Sequence, residues 1–164
     1  MKLVRGLLAG AVAGAAGTTA LNAVTYLDMV LRARPASSTP ETTVQKMADL
    51  AGVQIPGDEE ERKNRVAGLG PLTGLAVGVG VGAVFGVGGA AGCRPGLVAC
   101  SLAAAAAALV GSNGPMTVLG VTDPRRWSAV DWVSDLVPHL AYGVVTAAAL
   151  QGLDPAICRT SRRG

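Results

Sequence analysis

Four polar side chains lie on one side of the last apolar segment of the chain, SAVDWVSDLVPHLAYGVVT. In chain order they are Asp131, Asp135, His139 and Tyr142. Their spacing of i, i+4, i+8 and i+11 places them on a single face of an α-helix, which Thr146 extends. An imidazole changes charge near neutral pH, and a carboxylate one turn away favours its protonated form. The pattern predicts a proton relay or, alternatively, a polar network buried between helices.

Each of these residues also has a structural interpretation. Asp131 follows Ser128 by three residues, so it can complete a capping box at the start of a helix. Asp135 can pair with an arginine of the preceding TDPRRW loop or with a group on the first apolar segment. His139 can donate to a backbone carbonyl. Ionisable groups inside a membrane helix normally face the bundle interior, so the buried network and the relay both place Asp135 and His139 there.

A metal site would need a third ligand besides Asp135 and His139. The residues that could supply it are Asp131, Asn22 and Asp28. No cluster of His and Cys supports such a site, so we expect neither a metal nor another cofactor. The three cysteines are expected to be small buried apolar residues: Cys93, Cys100 and Cys158. Asn22, near the end of the first apolar segment, is expected to face the bundle and join the polar network.

The elements that carry these residues are four long segments with almost no charge. They span about 4–31, 66–90, 95–120 and 130–151, with a polar loop at 32–65. Each reaches the ~20 residues that a helix needs to cross ~30 Å of hydrocarbon. Charged residues make up only 15% of the 164-residue chain, against about 25% in soluble domains. We therefore predict one all-α membrane domain, 1–164, with four transmembrane helices in an antiparallel bundle.

The N-terminal segment resembles a secretory signal peptide, because Lys2 and Arg5 precede an apolar run. That run continues to about Leu27, which is longer than the apolar core of a signal peptide. We therefore expect an uncleaved first span, which Pro35 prevents from continuing.

The polar loop contains a second, shorter helical pattern, STPETTVQKMADLAG. Thr39 is the expected N-cap and Gly52 the expected C-terminal stop of this amphipathic surface helix. The GDEEERKNR stretch after it predicts a helical lead-in to the second span. Asp58 and Glu61 have the spacing of a capping box there.

Glycine recurs at every fourth position of the second span, GPLTGLAVGVGVGAVFGVGG. The positions are Gly70, Gly74, Gly78, Gly82 and Gly86. On a helix they form one stripe along which another backbone can approach closely. The VGVGVG alternation also fits a β-strand, but a strand in lipid needs a closed barrel, for which the other spans provide no partners. We predict a helix-packing face, whose partner is the first or third span of this chain, taken as the default, or the same helix of a second chain.

Pro115 lies near the end of the third span, after GSNG. Residues 96–110 alone are too few to cross the bilayer, so we expect a kinked or broken helix that continues through MTVLGV. Ser112 or Asn113 can bond to carbonyls freed near Gly111. Such breaks bind ligands in transporters, whereas a simple kink or helix end has no such role.

The segment DWVSDLVPHLAYG, residues 131–143, resembles the acidic-x-x-Ser-acidic-x-x-x-His-Leu signature of the YagU-like family of bacterial inner-membrane proteins. The preceding GPMTVLGVTDP resembles that family's proline-then-LxGLT-type loop, and the similarity covers residues 96–150. Pro138 departs from the pattern, which has a small residue there. The resemblance implies a small multi-pass protein linked to acid tolerance, with Asp131, Asp135 and His139 as its motif residues.

Charge and motifs narrow the range of functions. The net charge is +3, but the basic residues lie at segment ends, so we do not expect a nucleic-acid partner. No nucleophile–base pair is evident, so we do not expect an enzyme. One candidate is a non-enzymatic membrane protein, structural or related to acid or envelope stress, acting as a homo-oligomer or an accessory subunit of a membrane complex. The other is a proton-coupled or ion-conducting transporter that uses Asp135 and His139.

Localisation and orientation follow from the distribution of positive charge. The lipid bilayer is the expected surroundings of the spans, and the composition favours the inner membrane of a bacterium. Of the 14 Lys and Arg residues, the two tails and the short loop around Arg94 carry six, and the two other loops carry eight over about twice the length. Short segments weigh most in the positive-inside rule, so we expect both termini in the cytoplasm.

Overall fold

The structure is a computed structural model that describes residues 1–93 and 95–153. Within those residues every regular element is helical. The helices are α1 (Lys2–Arg32), α2 (Thr39–Leu50), α3 (Glu59–Ala90), α4 (Leu97–Val118) and α5 (Ala129–Leu153), with a single 3₁₀ turn at Pro124–Arg126. The predicted Cys158 and the basic groups of Arg94 and the C-terminal tail lie outside the described residues.

Four of the five helices are long and apolar enough to cross a bilayer: α1, α3, α4 and α5. Their outward faces carry large apolar side chains, such as Leu8, Val84 and Val144, which are more than half exposed. Such a surface is stable in hydrocarbon and not in water. The chain is therefore a multi-pass membrane protein, an antiparallel four-helix bundle with the short helix α2 between its first two spans. This confirms the predicted fold class.

Local sequence signals set the ends of the helices. Ala33 ends α1 in the left-handed conformation at φ 49°, two residues before Pro35. Asp58 and Glu61 form the expected capping box, so the acidic lead-in and the second span make one 32-residue helix, α3. Gly52 follows α2 with φ +65°, which suits glycine. The N-cap of α2 is Ser38, one residue before the expected Thr39, and its side chain makes no capping bond.

The α4 helix is not broken at Pro115, because it is helical without interruption from Leu97 to Val118, with Pro115 inside it; the expected kink stays a prediction. Pro115 has no N–H, so the Gly111 carbonyl loses one intrahelical hydrogen bond, and the helix continues for three residues beyond it. Ser112 does bond to carbonyls, but to those of Ala108 at 2.9 Å and Leu109 at 3.2 Å, one turn before the expected place.

The glycines of α3 pack against α1 of the same chain. Gly78, Gly82 and Gly86 oppose Gly14, Gly10 and Gly6, respectively. A Cβ atom added at Gly86 would lie 2.8 Å from the Cα of Gly10, and one added at Gly82 would lie 2.5 Å from the Cα of Gly14. Real Cβ atoms do not approach so closely, so these two backbones are in direct contact along the shared stripe.

Two glycines of the predicted stripe do not take part in this contact. A Cβ at Gly70 would meet α2, at 3.2 Å from the backbone nitrogen of Glu41. Gly74 is exposed, and no described atom lies within 4 Å of a Cβ placed there, which corrects the predicted packing role. The reason is geometric: at 3.6 residues per turn, a four-residue repeat drifts by about 40° per step. The five glycines, separated by four such steps, therefore cannot all face one helix.

The α5 helix lies between α1 and α4. Gly143 allows close approach to α4, where a Cβ would lie 2.8 Å from the Cβ of Ala105. On the other side, a Cβ at Gly17 of α1 would lie 2.8 Å from the Tyr142 ring. Cys100 and Leu150 are buried between these helices, whereas Cys93 is exposed, which corrects the prediction that it is buried.

The amphipathic helix α2 lies at the end of the bundle where α4 ends and α5 begins. The ammonium group of Lys46 donates to the carbonyl of Leu119 at 2.9 Å and to that of Gly120 at 3.3 Å. These carbonyls lie just past the C-terminal end of α4, where a helix leaves its last acceptors unsatisfied. Lys46 therefore fastens α2 to the end of α4.

Candidate functional site

The polar residues of the last span meet α4 in one group, which we call the α4–α5 polar cluster. Its members are Ser112 and Asn113 of α4 with Asp135 and His139 of α5. The sequence had marked Ser112 and Asn113 only as partners for backbone carbonyls. Two adjacent polar residues just before Pro115 were a sequence signal for a polar site. That signal did not indicate that α4 packs against α5.

His139 is the centre of the α4–α5 polar cluster and is only 9% exposed. Its Nδ1 lies 2.7 Å from the backbone carbonyl oxygen of Asp135 and 3.6 Å from the Asp135 carboxylate. A carbonyl oxygen can only accept, so Nδ1 carries a proton. Its Nε2 lies 3.2 Å from the hydroxyl oxygen of Ser112. Both ring nitrogens therefore have partners, and the ring is held from both sides.

Asp135 pairs with α4, not with the loop arginines that we considered from sequence. The amide nitrogen of Asn113 donates to its carboxylate at 2.7 Å. Arg126 is instead 3.5 Å from Asp123, within its own loop. The Asp135 side chain is 23% exposed and the His139 side chain 11% exposed, so the carboxylate is the more accessible of the two groups.

Asp131 belongs to the start of α5 and lies outside the cluster. Its carboxylate accepts from the backbone nitrogen of Ser128 at 2.9 Å and from the Ser128 hydroxyl at 2.7 Å. The backbone nitrogen of Asp131 donates to the same hydroxyl oxygen at 3.2 Å. This is the reciprocal arrangement of a capping box, as the alternative interpretation of Asp131 predicted.

Tyr142 is fully buried and points to α3. Its hydroxyl donates to the backbone carbonyl of Gly78 at 2.6 Å, at a position where glycine leaves the carbonyl accessible. Thr146, one turn further, is also fully buried, against Gly17. On the predicted polar face of α5, Tyr142 and Thr146 therefore contact α3 and α1, whereas Asp135 and His139 form the cluster with α4.

Asn22 does not join this network. It lies on an exposed part of α1 and makes no side-chain hydrogen bond among the described residues, which corrects the expectation that it faces the bundle. Hydrophobicity could not place it, because the α1 helix shows no amphipathic face to orient it.

A second polar group connects α1 and α5 near the membrane surface. Asp28 pairs with Arg32, four residues later in the chain, at 3.2 Å, and also with Arg34 at 2.5 Å. Arg32 further donates to the hydroxyl of Ser134 on α5 at 2.6 Å. The pairing with Arg34 and Ser134 was missed, because one lies past the helix end and the other is 102 residues away.

Two apolar clefts lie on the bundle surface. One, of about 300 Å³, lies between α3 and α4 and is lined by residues such as Val77, Val84 and Ala107. The other, of about 600 Å³, is formed by the start of α1 with Leu153. Neither is lined by Asp135 or His139. Among the described residues no group of three His, Cys, Asp or Glu side chains could hold a metal ion.

The depth of the cluster follows from the helix geometry. His139 is ten residues after Ala129, the first residue of α5, which corresponds to about 15 Å along the axis. That is close to the middle of this 25-residue helix, which is long enough to cross a ~30 Å hydrocarbon layer. Asp135 is one turn closer to the surface that carries α2. The cluster therefore extends from the middle of the bundle toward that surface.

Comparison with models of known protein families, with curated proteins and with solved structures yields no match.

Proposed function

We propose that this chain is a non-enzymatic membrane protein whose activity depends on the binding of a proton at His139, in a response to acid or envelope stress. The observation that supports the proposal is the imidazole in the middle of the fourth span, hydrogen-bonded at both nitrogens and 3.6 Å from a carboxylate. Histidine is the side chain whose charge changes between pH 5 and pH 8.

The composition of the α4–α5 polar cluster suits proton binding. An isolated charge at the centre of a bilayer costs at least ~2.5 kcal/mol, so a protonated His139 needs an opposite charge nearby. Asp135 provides that charge, and the amide of Asn113 holds its carboxylate at 2.7 Å. When Asp135 is ionised, uptake of one proton by His139 changes the cluster from a net charge of −1 to neutrality. Protonation therefore alters the electrostatics between α4 and α5 directly.

His139 is the one histidine in the 164-residue chain, which makes a direct test simple. Protein labelled with ¹⁵N-histidine would be placed in lipid nanodiscs and its ring nitrogens followed by NMR from pH 4.5 to 8.5. We expect a reversible change from a neutral ring protonated at Nδ1 to the imidazolium form. A ring whose ¹⁵N shifts stay constant over this range contradicts the proposal.

The stress role has its own test in the native host. A strain that lacks the gene would be challenged at low pH and complemented with wild type, His139→Gln or Asp135→Asn. We expect wild type to restore survival and the two variants to fail while reaching the membrane in normal amounts. Asn22→Ala is the matched control, since this polar side chain of α1 is exposed and outside the cluster. Full complementation by His139→Gln would refute the role.

A proton-coupled or ion-conducting transporter is the second candidate. The depth of the Asp135–His139 pair, near the middle of its span, favours it, since transporters bind ions there. Proteoliposomes containing the purified protein and an internal pH dye would be given a pH gradient. Proton flux that His139→Ala abolishes supports transport, and flux equal to that of empty liposomes excludes it.

We also propose a membrane, an orientation and a form of assembly for this protein. We place it in the bacterial inner membrane with both termini in the cytoplasm, so that α2 and the Asp135 end of the cluster face the opposite side. The resemblance of residues 131–143 to the YagU-like family supports this location. A homo-oligomer and an accessory subunit of a larger complex are the two forms that we propose for its assembly. Attachment of a thiol-reactive, membrane-impermeant label to an engineered Ser37→Cys in intact cells, after masking of the native thiols, would test the orientation.

A further inference from the structure

The hydroxyl of Ser112 has more acceptors within reach than it has hydrogens. Its oxygen lies 2.9 Å from the carbonyl oxygen of Ala108, 3.2 Å from that of Leu109 and 3.2 Å from Nε2 of His139. A serine hydroxyl has one hydrogen and two lone pairs. It can therefore donate fully to only one of these partners at a time.

The acceptor of the Ser112 hydroxyl hydrogen depends on the charge state of His139. In both states Nδ1–H donates to the carbonyl of Asp135. In the neutral ring, Nε2 has no hydrogen, so Ser112 must choose between donating to Nε2 and donating to Ala108. In the imidazolium ring, Nε2–H donates to the Ser112 oxygen, and the hydroxyl hydrogen is free for Ala108. The same heavy-atom positions thus serve both states, and only one hydroxyl hydrogen turns.

We infer that Ser112 is the positioning residue of the proton site: it holds the His139 ring and accepts the Nε2 hydrogen that appears on protonation. The inference rests on the proposed proton binding by His139. It assigns to α4 a role in the chemistry of a group carried by α5.

The other groups around His139 do not replace Ser112. On α5, Asp135 faces Nδ1, and the hydroxyl of Tyr142 is bonded to Gly78 of α3. On α4, Asn113 is bonded to the Asp135 carboxylate. On α1, the charged groups nearest along the bundle, Asp28, Arg32 and Arg34, bond to one another and to Ser134. Among the described residues, Ser112 is the hydrogen-bond partner that Nε2 has.

Removal of the Ser112 oxygen has unequal effects on the two states. A hydrogen bond from a charged donor is about twice as strong as a neutral one, and a buried N–H left without an acceptor is costly. The neutral ring loses only a bond for which Ala108 already competes. Ser112→Ala should therefore lower the proton affinity of His139 about tenfold.

The experiment is the ¹⁵N-histidine titration in nanodiscs with three variants. Ser112→Ala is expected to displace the titration to lower pH by about one unit and to remove the hydrogen-bond contribution to the Nε2 shift. Ser112→Thr keeps the hydroxyl and is expected to titrate like wild type. Ser101→Ala is the matched control, because Ser101 is a buried serine of the same helix whose hydroxyl, within the described part of the chain, donates to Leu97 at 2.9 Å and not to His139.

Each outcome has a defined meaning. If wild type titrates and Ser112→Ala titrates identically, the positioning role is wrong while proton binding stands. If Ser101→Ala shifts the curve as much as Ser112→Ala, the effect is not specific to this contact and the inference is again wrong. If wild type itself does not titrate, both proposals fail. Should Ser112→Ala not fold, Ser112→Cys, whose sulfur is a weak acceptor, is expected to give the same displacement, and an unchanged curve would overturn the role.

Discussion

Replacement of Gly82 by alanine tests whether backbone contact holds α1 and α3 together. The added methyl carbon would lie 2.5 Å from the Cα of Gly14. Carbon atoms in ordinary contact are about 3.5–4.0 Å apart, so the two helices must separate locally by roughly 1 Å. The Cα of Gly14 and the carbonyl oxygen of Gly10 both obstruct the added carbon, and backbone atoms cannot rotate away as a side chain could.

The cost can be estimated from that separation. A gap of ~0.5–1 Å forfeits a quarter to a half of the dispersion energy of the contacts that it opens, and overpacked sites typically lose about 1–3 kcal/mol. Alanine also has a helix propensity about 1 kcal/mol better than glycine, which acts in the opposite direction. Gly80 supplies the reference, since no described atom lies within 4 Å of a Cβ at this exposed position of the same helix.

Both variants gain the same helix propensity, so the difference between their free energies of unfolding reports only the loss of helix–helix contact at Gly82. We expect Gly82→Ala to be less stable than Gly80→Ala by about 2 kcal/mol. The free energy of unfolding would be measured by SDS titration in mixed micelles. The fluorescence of Trp127 and Trp132, whose rings touch with centroids 5.0 Å apart, would report the transition. Equal stability of the two variants, within about 0.5 kcal/mol, would refute close backbone packing of α1 on α3.

Two further variants test the contacts of α5 and α2. Tyr142→Phe removes the donor to the Gly78 carbonyl while keeping the ring, and we expect a loss of about 1 kcal/mol in the same titration; wild-type stability would show that this buried bond contributes nothing. Lys46→Met keeps the length of the side chain but removes the ammonium that holds the carbonyl of Leu119. Amide hydrogen exchange in α2 is then expected to accelerate about fivefold, as a loss of ~1 kcal/mol requires, and an unchanged exchange rate would contradict the role of Lys46 as a fastener.

Local signals were sufficient for the elements of the fold. Long uncharged runs predicted four spans, because an apolar, uncharged helix of this length is favourable in the hydrocarbon of a bilayer and unfavourable in water. The capping box at Asp58, the stop at Gly52 and the cap of Asp131 on Ser128 were all visible in the sequence and are present. Each depends on residues within one or two turns of chain, so spacing alone specifies the bond. The break expected at Pro115 is absent, because the missing N–H of this proline removes one hydrogen bond and the helix on either side remains intact.

The candidate site was predicted only in part. The spacing of Asp135 and His139 placed both on one helix face, and they do lie 3.6 Å apart. It did not indicate which neighbouring helix receives them. Asn22 is the counterexample, since a polar residue in an apolar helix was expected inside and is outside. Hydrophobicity carries no information about the rotation of a helix that is apolar all round; in α1 only the glycines mark the face that packs on α3.

The amino-acid sequence by itself determined the solvent of this protein, its number of spans and the caps at Asp58 and Ser128, because these depend on hydrophobicity and on hydrogen bonds between neighbours in the chain. Only the tertiary structure decided that α3 packs on α1, that Ser112 and Asn113 face Asp135 and His139, and that Gly74 has no neighbour among the described residues. Small residues allow close approach without selecting a partner, and lipid is as apolar as a leucine side chain. Which faces meet is therefore decided by the fit of whole helices, which no local pattern records.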